Sequence, residues 1–545
     1  MRPLVTLVCL MLAAPVLGVL GSWLMLDAQA MQTLAHQWQT VLPQYVQGSL
    51  LLVVPVAVGV ALLGSTTAAA VALFDFPGRR WFEWALLLPL SMPAYVLAYA
   101  YTDFLQYSGP LQSALRSLVG TQRALWPDVR STSGAVVLFV LCLYPYVYLL
   151  ARAALAERGV PLMEAARLLG AGVGRRVREV ALPLARPAVA AGVALAVMET
   201  LADYGVGSYF GLATFTTGIY KAWLVMDDRI AAAQLASLLL AVVAVLLWVE
   251  RRAQQRLRFA SSRTGAAHAS EARPLALEGA ARWLAWTVCA LPVLLGFVVP
   301  VAVLLELVWQ EARYADFGLP LARFAQWAWT SFRLAGLAAL AAVALALALA
   351  FMQRDAAGRS RGSRDWSGNA LLRAGARVVS LGYAVPGAVI AVGILLPVGW
   401  VQAAWPQSSL SALVTGTAAG LLYAYLVRFS AVAVQSVEAG YARISPSVDE
   451  TARTLGGSSR RIFRELHLPL LKRSALAAAL LVFVDVMKEL PATLVLRPFN
   501  SDTLAVVAYQ LARDERLAEA ALPSLAIVAV GLLPVLLLSR AVRGR

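Results

Sequence analysis

Four acidic residues lie in otherwise apolar stretches of the sequence, in two pairs of equal spacing. Glu199 precedes Asp203 by four residues, and Asp485 precedes Glu489 by four. On a helix, this spacing puts both carboxylates of a pair on one face. Glu199 would lie roughly 16 Å into its apolar segment, near the middle of a bilayer, where charges face a cavity or a partner. Two interpretations follow: a polar path for a cation, or structural acids that are protonated or paired, with Lys488 as an obvious partner.

The composition places these acids in a membrane protein. Of 545 residues, 60% are hydrophobic and 14% charged, and the mean hydropathy is +0.71. Soluble globular domains are much more polar, so we predict an all-α polytopic membrane protein. The net charge of +16 comes from short basic blocks between apolar runs. This pattern is typical of the positive-inside bias and argues against nucleic-acid binding.

Few residues could carry out covalent or metal chemistry. The cysteines lie in apolar runs, the histidines are scattered, and no lysine follows a glycine. These residues are Cys9, Cys142, Cys289, His36, His268, His467, Lys221, Lys472 and Lys488. A disulfide framework, a histidine-based metal centre and the P-loop pattern GxxxxGK[ST] are therefore not expected. We predict that the chain is not an enzyme, binds no cofactor or metal of its own, and relies on another chain if ATP is used.

Twelve apolar segments are long enough to cross a bilayer as helices. They lie at about 4–26, 49–75, 84–106, 134–151, 187–209, 230–249, 283–308, 331–352, 377–400, 409–435, 474–496 and 520–539. The first could instead be a signal peptide, because Ala28-Gln29-Ala30 resembles a cleavage site. We interpret it as an uncleaved helix, since the run is longer than a usual signal core and the topology favours an even helix count.

The arginines predict the orientation and the domain organisation. Basic residues concentrate near 79–80, 158–186, 251–273, 354–364 and 453–473, so we predict these connections, and both termini, to be cytoplasmic. We expect a first transmembrane domain at 1–250, a flexible cytoplasmic linker at 251–280 and a second transmembrane domain at 281–545. With six helices each, the halves insert in the same direction, as a parallel repeat.

The cytoplasmic connections contain a repeated sequence. Glu164 to Pro183 is EAARLLGAGVGRRVREVALP, and Glu450 to Pro469 is ETARTLGGSSRRIFRELHLP. The offset, 450 − 164 = 286, aligns the two copies without a gap and also pairs the membrane acids, 199 with 485 and 203 with 489. We call residues 164–183 the first loop element and residues 450–469 the second loop element.

Each loop element is predicted to fold as a helix, a turn and a second helix. Pro161, and a capping box from Ser447 to Glu450, would start a short helix just before each acid, whose charge favours the positive helix end. Gly170 and Gly456 would end that helix. A second, basic helix would then run to the Leu-Pro pair that closes each element, where the proline breaks it.

The spacing EAA-x3-G-x9-hydrophobic-x-LP resembles the signature loop of ABC importer permeases that work with a substrate-binding protein. Thr451 replaces the middle alanine, and Val180 and Leu466 stand where that family usually has isoleucine. The resemblance implies a bacterial inner-membrane protein, two copies of an ATPase subunit that bind ATP and dock on the loop elements, and a periplasmic binding protein. The coupling residues that it implies are Glu164, Ala165, Ala166, Gly170, Leu182, Pro183, Glu450, Ala452, Gly456, Leu468 and Pro469.

Three further segments resemble the fused two-domain permeases for ferric iron. They are 143–155, 198–223 and 486–528. This resemblance implies a ferric-iron permease. The hypothesis from the position of the membrane acids is that Glu199, Asp203, Asp485 and Glu489 line its pathway. Thiamine, phosphonate and other small-solute permeases are close relatives, so these solutes are alternatives.

A secondary transporter driven by an ion gradient is an alternative from another class. It explains the repeat, and it explains the buried acids as proton carriers. It does not explain two loops of matched spacing.

Overall fold

The protein is helical throughout nearly all of the chain that can be described. The computed structural model describes residues 2–25, 28–261, 274–314, 319–360, 375, 379 and 381–543. In these ranges the only strands are two-residue segments, β1 Phe74–Asp75 and β2 Leu275–Ala276, which pair in parallel. Helices satisfy all of their backbone polar groups internally, as the hydrocarbon of a bilayer demands. The predicted all-α polytopic fold is confirmed.

Helices α1 to α12 occupy the chain up to residue 261. Their bounds are α1 Arg2–Gly21, α2 Ala28–Gln39, α3 Leu42–Leu73, α4 Arg79–Ala85, α5 Ala94–Leu105, α6 Pro110–Val119, α7 Thr132–Leu168, α8 Val173–Arg176, α9 Leu182–Ala202, α10 Gly205–Tyr209, α11 Phe215–Tyr220 and α12 Arg229–Ser261. Short 3₁₀ segments lie at Ser22–Met25 and Leu88–Ser91, and π-helical segments at Val177–Ala181 and Lys221–Val225.

Helices α13 to α24 follow in the rest of the described chain. Their bounds are α13 Ala280–Val293, α14 Val299–Tyr314, α15 Leu321–Ser360, α16 Gly387–Ala404, α17 Leu410–Gly416, α18 Ala418–Tyr441, α19 Pro446–Thr454, α20 Ser459–Arg461, α21 Leu468–Lys488, α22 Pro491–Leu496, α23 Leu504–Arg513 and α24 Leu517–Arg543. A 3₁₀ segment lies at Gly382–Ala384, and π-helical segments lie at Leu294–Val298 and Ile462–His467.

The membrane-spanning helices agree with the predicted segments, with two differences. Among the described residues, 10 helices are long and apolar enough to cross a membrane, and the pair Arg79–Ser91 and Ala94–Val119, bent by 89°, raises the number to 11. The bend falls at Pro93, where the predicted segment 84–106 was a single helix. The segment predicted at 474–496 is divided between α21, which ends at Lys488, and α22, which begins at Pro491. Helix α21 carries Lys472, Arg473, Asp485 and Lys488 and is not one of the 10.

The sequence repeat extends to the helix bounds. Adding 286 to the bounds of α9 gives 468 and 488, the bounds of α21. Adding it to the bounds of α7 gives 418 and 454, the first residue of α18 and the last of α19. The copies differ in one respect, because α7 is continuous where its counterpart is interrupted after Tyr441 and restarts at Pro446.

The contacts divide the chain into two compact units. Unit 1 contains Met1–His36, Ile219–Leu240 and Leu321–Val507, and unit 2 contains Gln37–Gly218, Ala241–Pro320 and Ala508–Arg545. Each unit therefore combines the first helix and a late segment of one predicted half with the middle of the other half. The division at 1–250 and 281–545 follows the sequence repeat and stays a prediction. In the predicted linker, residues 262–273 lie outside the described chain, and β2 pairs with β1.

Helix α1 packs closely on α16 inside unit 1. A carbon added at Gly393 would lie 2.1 Å from the carbonyl oxygen of Pro15, so the two backbones are already in contact. Because Pro15 has no N–H, the carbonyl of Met11 loses its helical partner, and the hydroxyl of Tyr423 donates to that oxygen instead. Backbone contact and this hydrogen bond hold α1 in place.

We expect Gly393→Ala to lower the midpoint of thermal unfolding of the detergent-purified protein. The added methyl group forces α1 away from α16, and overpacking of this kind costs about 1–3 kcal/mol. Gly336→Ala, in α15, is the matched control because a carbon added there meets nothing within 4 Å. Equal midpoints for the two variants would contradict close packing of α1.

Candidate functional site

The first loop element turns at Gly170. Its φ of +81° is in the left-handed region that only glycine adopts without strain. The N–H of Gly170 donates to the carbonyl of Arg167 at 2.9 Å, and the N–H of Ala171 donates to the carbonyl of Ala166 at 3.0 Å. These two bonds form a Schellman motif, which satisfies the last carbonyls of α7.

The second loop element has the same turn. Gly456 also has a φ of +81°, and its N–H donates to the carbonyl of Arg453 at 2.9 Å. The N–H of Gly457 donates to the carbonyl of Ala452, also at 2.9 Å. The prediction that the two glycines end their helices is confirmed. The carbonyls of Ala166 and Ala452, the last alanine of the motif in each copy, accept one of the two hydrogen bonds of the turn.

The predicted starts of the first helices are wrong. In the first copy α7 runs without a break from Thr132 to Leu168, so Glu164 lies near the end of a helix and cannot stabilise its start. In the second copy α19 begins at Pro446, and the side chain of Ser445 accepts from the N–H of Ser447. The proline decides the cap position, because its missing N–H is best placed in the first turn of a helix.

The prediction that proline breaks the second helix of each element is also wrong. Residues Val173–Ala202 form one apolar helical span that passes through Pro183. Pro183 and Pro469 each lie in the first turn of α9 or α21, directly after a π-helical segment. The proline is tolerated there because the hydrogen-bond register has already shifted before the residue that lacks an N–H.

The tips of both loop elements expose large apolar side chains. Leu168 is 89% exposed, Leu169 is 88% exposed, and Leu455, which aligns with Leu169, is 82% exposed. We did not predict these residues, although leucines before a glycine in an arginine-rich loop are a usable signal. Exposed apolar residues with a polar surround mark contact sites for other proteins or for membranes.

An ion pair recurs behind each tip. Arg175 bonds to Glu179 at 2.8 Å, and Arg461 bonds to Glu465 at 2.9 Å, in the same aligned positions. Both pairs are exposed and contribute little to stability. The acids that open the motif, Glu164 and Glu450, are exposed as well.

Two of the four membrane acids accept hydrogen bonds from N–H groups at the start of the next helix. Helix α9 ends at Ala202, and the carboxylate of Asp203 accepts from the N–H of Val206 at 2.8 Å, at the start of α10. Helix α21 ends at Lys488, and Glu489 accepts from the N–H groups of Ala492 and Thr493, each at 2.9 Å. The expectation that each pair lies on one helical face is therefore wrong, because the second acid follows the helix end.

Glu489 is further held by an arginine, while the remaining acids are more accessible. Arg428 bonds to Glu489 at 3.2 Å, and Glu489 is 5% exposed. Asp485 lies 3.5 Å from Lys488, the partner that the sequence suggested, and its side chain is 24% exposed. Glu199 is half-buried in α9. A pathway role for the four acids stays a prediction.

Comparison with known proteins identifies the family of this chain. Residues 60–259 and 365–544 each match the family described as binding-protein-dependent transport system inner membrane component. The chain belongs to this family. It is an ABC-type permease of binding-protein-dependent transport, and the two matches confirm the internal repeat.

Several named relatives are permeases of the same kind. The permease is 25% identical over 501 residues to the Fe(3+)-transport system permease protein FbpB 2 of Haemophilus influenzae, covering 91% of this chain and 90% of that protein. It is 27% identical over 210 residues to the putative 2-aminoethylphosphonate transport system permease protein PhnU of Salmonella paratyphi A, covering 38% of this chain and 70% of that protein. It is 32% identical over 157 residues to PhnV of Salmonella typhimurium, covering 29% and 56%.

The permease anchors its second loop element through a buried charge network. The side chain of Arg354, on α15, donates to Asp449 at 2.6 Å. It also donates to the carbonyls of Tyr441, Ile444 and Ser445 at 3.1, 2.9 and 3.0 Å. These carbonyls lie where the helix is interrupted between α18 and α19. The carbonyls of Tyr441 and Ser445 also accept from the N–H groups of Ile444 and Val448, so Arg354 is a second donor to them, and it donates to the carbonyl of Ile444 as well.

A histidine extends this network. The Nε2 atom of His467 lies 2.8 Å from Asp449, and its Nδ1 atom lies 3.2 Å from the hydroxyl of Tyr441. Burial by itself raises the pKa of Asp449, but the hydrogen bonds from Arg354 and His467 outweigh burial and hold that pKa below its usual value. Asp449 is therefore the anionic centre that joins α15, α19 and the second loop element.

The aligned positions of the first copy are apolar. Subtracting 286 from the four network positions gives Ala68, Leu155, Met163 and Ala181, and all four are buried. The first copy needs no arginine, because α7 is continuous and its carbonyls are bonded within the helix. The two loop elements therefore have similar exposed tips, although the residues buried behind them are apolar in the first copy and charged in the second.

We expect Arg354→Ala to release α19. The substitution leaves the buried carboxylate of Asp449 without its arginine partner and removes the arginine's hydrogen bonds to three carbonyls. Breaking a buried ion pair costs about 3–5 kcal/mol. Amide hydrogen exchange over residues 442–457 should become at least about 100-fold faster.

Arg443→Ala is the control for this variant, because Arg443 is an exposed arginine in the same turn. Exchange that is equally fast in the two variants would contradict an anchoring role for Arg354.

Proposed function

We propose that this permease is the membrane subunit of an ATP-driven importer and that its two loop elements dock ATPase subunits in the cytoplasm. The observation that carries the proposal is the pair of matched tips. Each tip combines a glycine-terminated helix with at least one exposed leucine near arginines: Leu168 and Leu169 in the first, Leu455 in the second. Such a tip can insert its apolar end into a groove of a partner while its charged flanks stay hydrated.

Two tips on one chain call for two partners of the same kind. Leu169 and Leu455 occupy equivalent positions after helices with identical terminal hydrogen bonds. We therefore infer two ATPase copies, with ATP bound by them and not by this chain. Their closure would move the loop elements and, through the helices behind them, the membrane segments.

The orientation belongs to the same proposal. Both loop elements carry several arginines, and the positive-inside rule favours the cytoplasm for them and for both termini. The inner membrane of a bacterium and a periplasmic binding protein on the opposite side follow from this placement. The family description supports the binding protein as a partner.

We propose ferric iron as the transported solute. The Haemophilus influenzae relative, whose name states Fe(3+) transport, aligns over 91% of this chain. The named 2-aminoethylphosphonate relatives align over 38% or less, which makes an organophosphonate the second candidate. Of the four candidate pathway acids, Glu199 and Asp485 are the two that lie within helices α9 and α21, whereas Asp203 and Glu489 follow the helix ends and accept hydrogen bonds from the next helix. We therefore propose Glu199 and Asp485 for contact with the cation.

The docking proposal predicts that the glycine turns are required for ATPase binding. Gly170→Leu combined with Gly456→Leu should abolish co-purification of the ATPase, because a residue with a Cβ is strained at a φ of +81° by about 1–2 kcal/mol and shifts the leucine tip.

Gly336→Leu combined with Gly416→Leu is the control for the glycine variants, since both glycines lie outside the loop elements and have open space around them. Retention of the ATPase by the double variant would contradict docking at these tips.

The iron proposal predicts that Glu199→Gln combined with Asp485→Asn lowers the uptake of labelled ferric iron at least about tenfold while the ATPase still co-purifies. Removing both carboxylates takes away the negative potential that offsets the cost of a cation in the membrane.

Competition identifies the solute. Unlabelled ferric iron should compete in this assay, and 2-aminoethylphosphonate and thiamine should not. Competition by either organic solute would overturn the iron assignment, and unchanged iron uptake in the double variant would overturn the pathway role of Glu199 and Asp485. Neither outcome affects the docking proposal.

A further inference from the structure

A cleft of about 860 Å³ opens beside the second loop element, within unit 1. One wall is the end of α15, from Ala344 to Asp355, and the other runs from Ser459 to Leu468. At 1.5 Å per residue the α15 wall is roughly 16 Å long. The cleft therefore extends from the second loop element along a membrane-spanning helix.

The interior of the cleft is apolar. Leu347 and Phe351 line the α15 side, and Phe463 and Leu468 line the other. The rings of Phe351 and Phe463 are in contact, with centroids 4.7 Å apart, and Leu468 is 43% exposed. These side chains form a surface that suits a hydrocarbon chain.

The rim of the cleft is positively charged. Asp355 is matched by Arg453 at 3.1 Å, and Ser459 also donates to it. Arg460 and Arg464 also line the cleft and are exposed, and neither has an ion pair within the described part of the chain. They directly follow Ser459 and Phe463, which contact Asp355 and Phe351, so both arginines lie on the part of the cleft nearest Asp355.

We propose that this cleft binds one anionic phospholipid. Arg460 and Arg464 contact its phosphate, and an acyl chain lies along Leu347, Phe351 and Phe463. Basic residues at the membrane surface favour anionic over zwitterionic lipids, and guanidinium groups form strong charge-assisted hydrogen bonds with phosphate. The basic rim and the apolar interior match the two parts of such a lipid in the order in which a bilayer presents them.

The first copy of the repeat lacks these features at the aligned positions. Subtracting 286 places Ser65 and Val177 where the second copy has Phe351 and Phe463, and Gly174 where it has Arg460. Arg464 alone has a basic counterpart, Arg178. The lipid therefore contacts the second loop element and not the first, and it links that element to the lipid composition of the membrane.

Native mass spectrometry of the detergent-purified permease tests the proposal, with phosphatidylglycerol and phosphatidylcholine as probes. Wild-type protein should retain one phosphatidylglycerol in preference to phosphatidylcholine. Arg464→Gln should weaken the binding of phosphatidylglycerol about fivefold, and Arg460→Gln combined with Arg464→Gln should weaken it about 25-fold, because each surface arginine contributes a similar factor. Arg178→Gln is the matched control and should bind as the wild type does.

A second variant tests the apolar part of the site. Ala348→Trp fills the groove and should remove the bound lipid whatever its headgroup, with a thermal midpoint showing that the protein is folded. If this variant does not fold, the substitutions of the exposed arginines still decide the question. Equal retention of the two lipids by the wild type, or an equal loss in the Arg178 and Arg464 variants, overturns the proposal.

An ATPase segment is the other occupant that the cleft could accept. Loss of ATPase co-purification in the Arg460 and Arg464 double variant, with phosphatidylglycerol still bound at the wild-type level, would assign the cleft to the ATPase and overturn the lipid proposal. The lipid assay contains neither ATPase nor iron, so its outcome is independent of the proposed transport function.

Discussion

The structure depends on how its helices are completed where the chain must turn. Gly170 and Gly456 adopt a φ of +81°, and this conformation lets the last carbonyls of a helix find N–H partners just beyond it. Asp203 and Glu489 serve the opposite end, since their carboxylates accept from the first N–H groups of the next helix. Unpaired backbone groups are costly inside a protein or a bilayer. These four residues therefore allow interruptions in helices that would otherwise run on.

The two copies of the repeat share the glycine turn and the exposed leucine at the tip, but they differ in the buried residues behind it. Around the first tip, the aligned positions are buried and apolar. Around the second, the helix is interrupted and Arg354 donates to carbonyls at the interruption, with Asp449 and His467 completing the network. A partner can meet two similar surfaces although the forces that hold them differ. The cleft with its basic rim is part of the same divergence, because its aromatic wall and Arg460 have no counterpart in the first copy.

Sequence reasoning succeeded where the signal was local and failed where it depended on distant residues. The membrane helices followed from long apolar runs, and the turns followed from glycine at a repeated spacing. The helix starts were wrong because Pro446 moves the cap in one copy, while α7 simply continues in the other. The anchor of the second loop element could not be predicted, since Arg354 and Asp449 are separated by 95 residues and become neighbours only when α15 packs beside α18, the helix that precedes α19.

By itself, the sequence determined the all-helical membrane class, the repeat with its offset of 286, the family and the glycine turns, because hydrophobic length and left-handed backbone are properties of short segments. The tertiary structure decided which acids are used to complete helices, which residues anchor each loop element, and that α1 packs on α16 of the other half. These outcomes depend on which partners a side chain meets. Packing between helices brings those partners together, and a short sequence pattern does not indicate which helices pack.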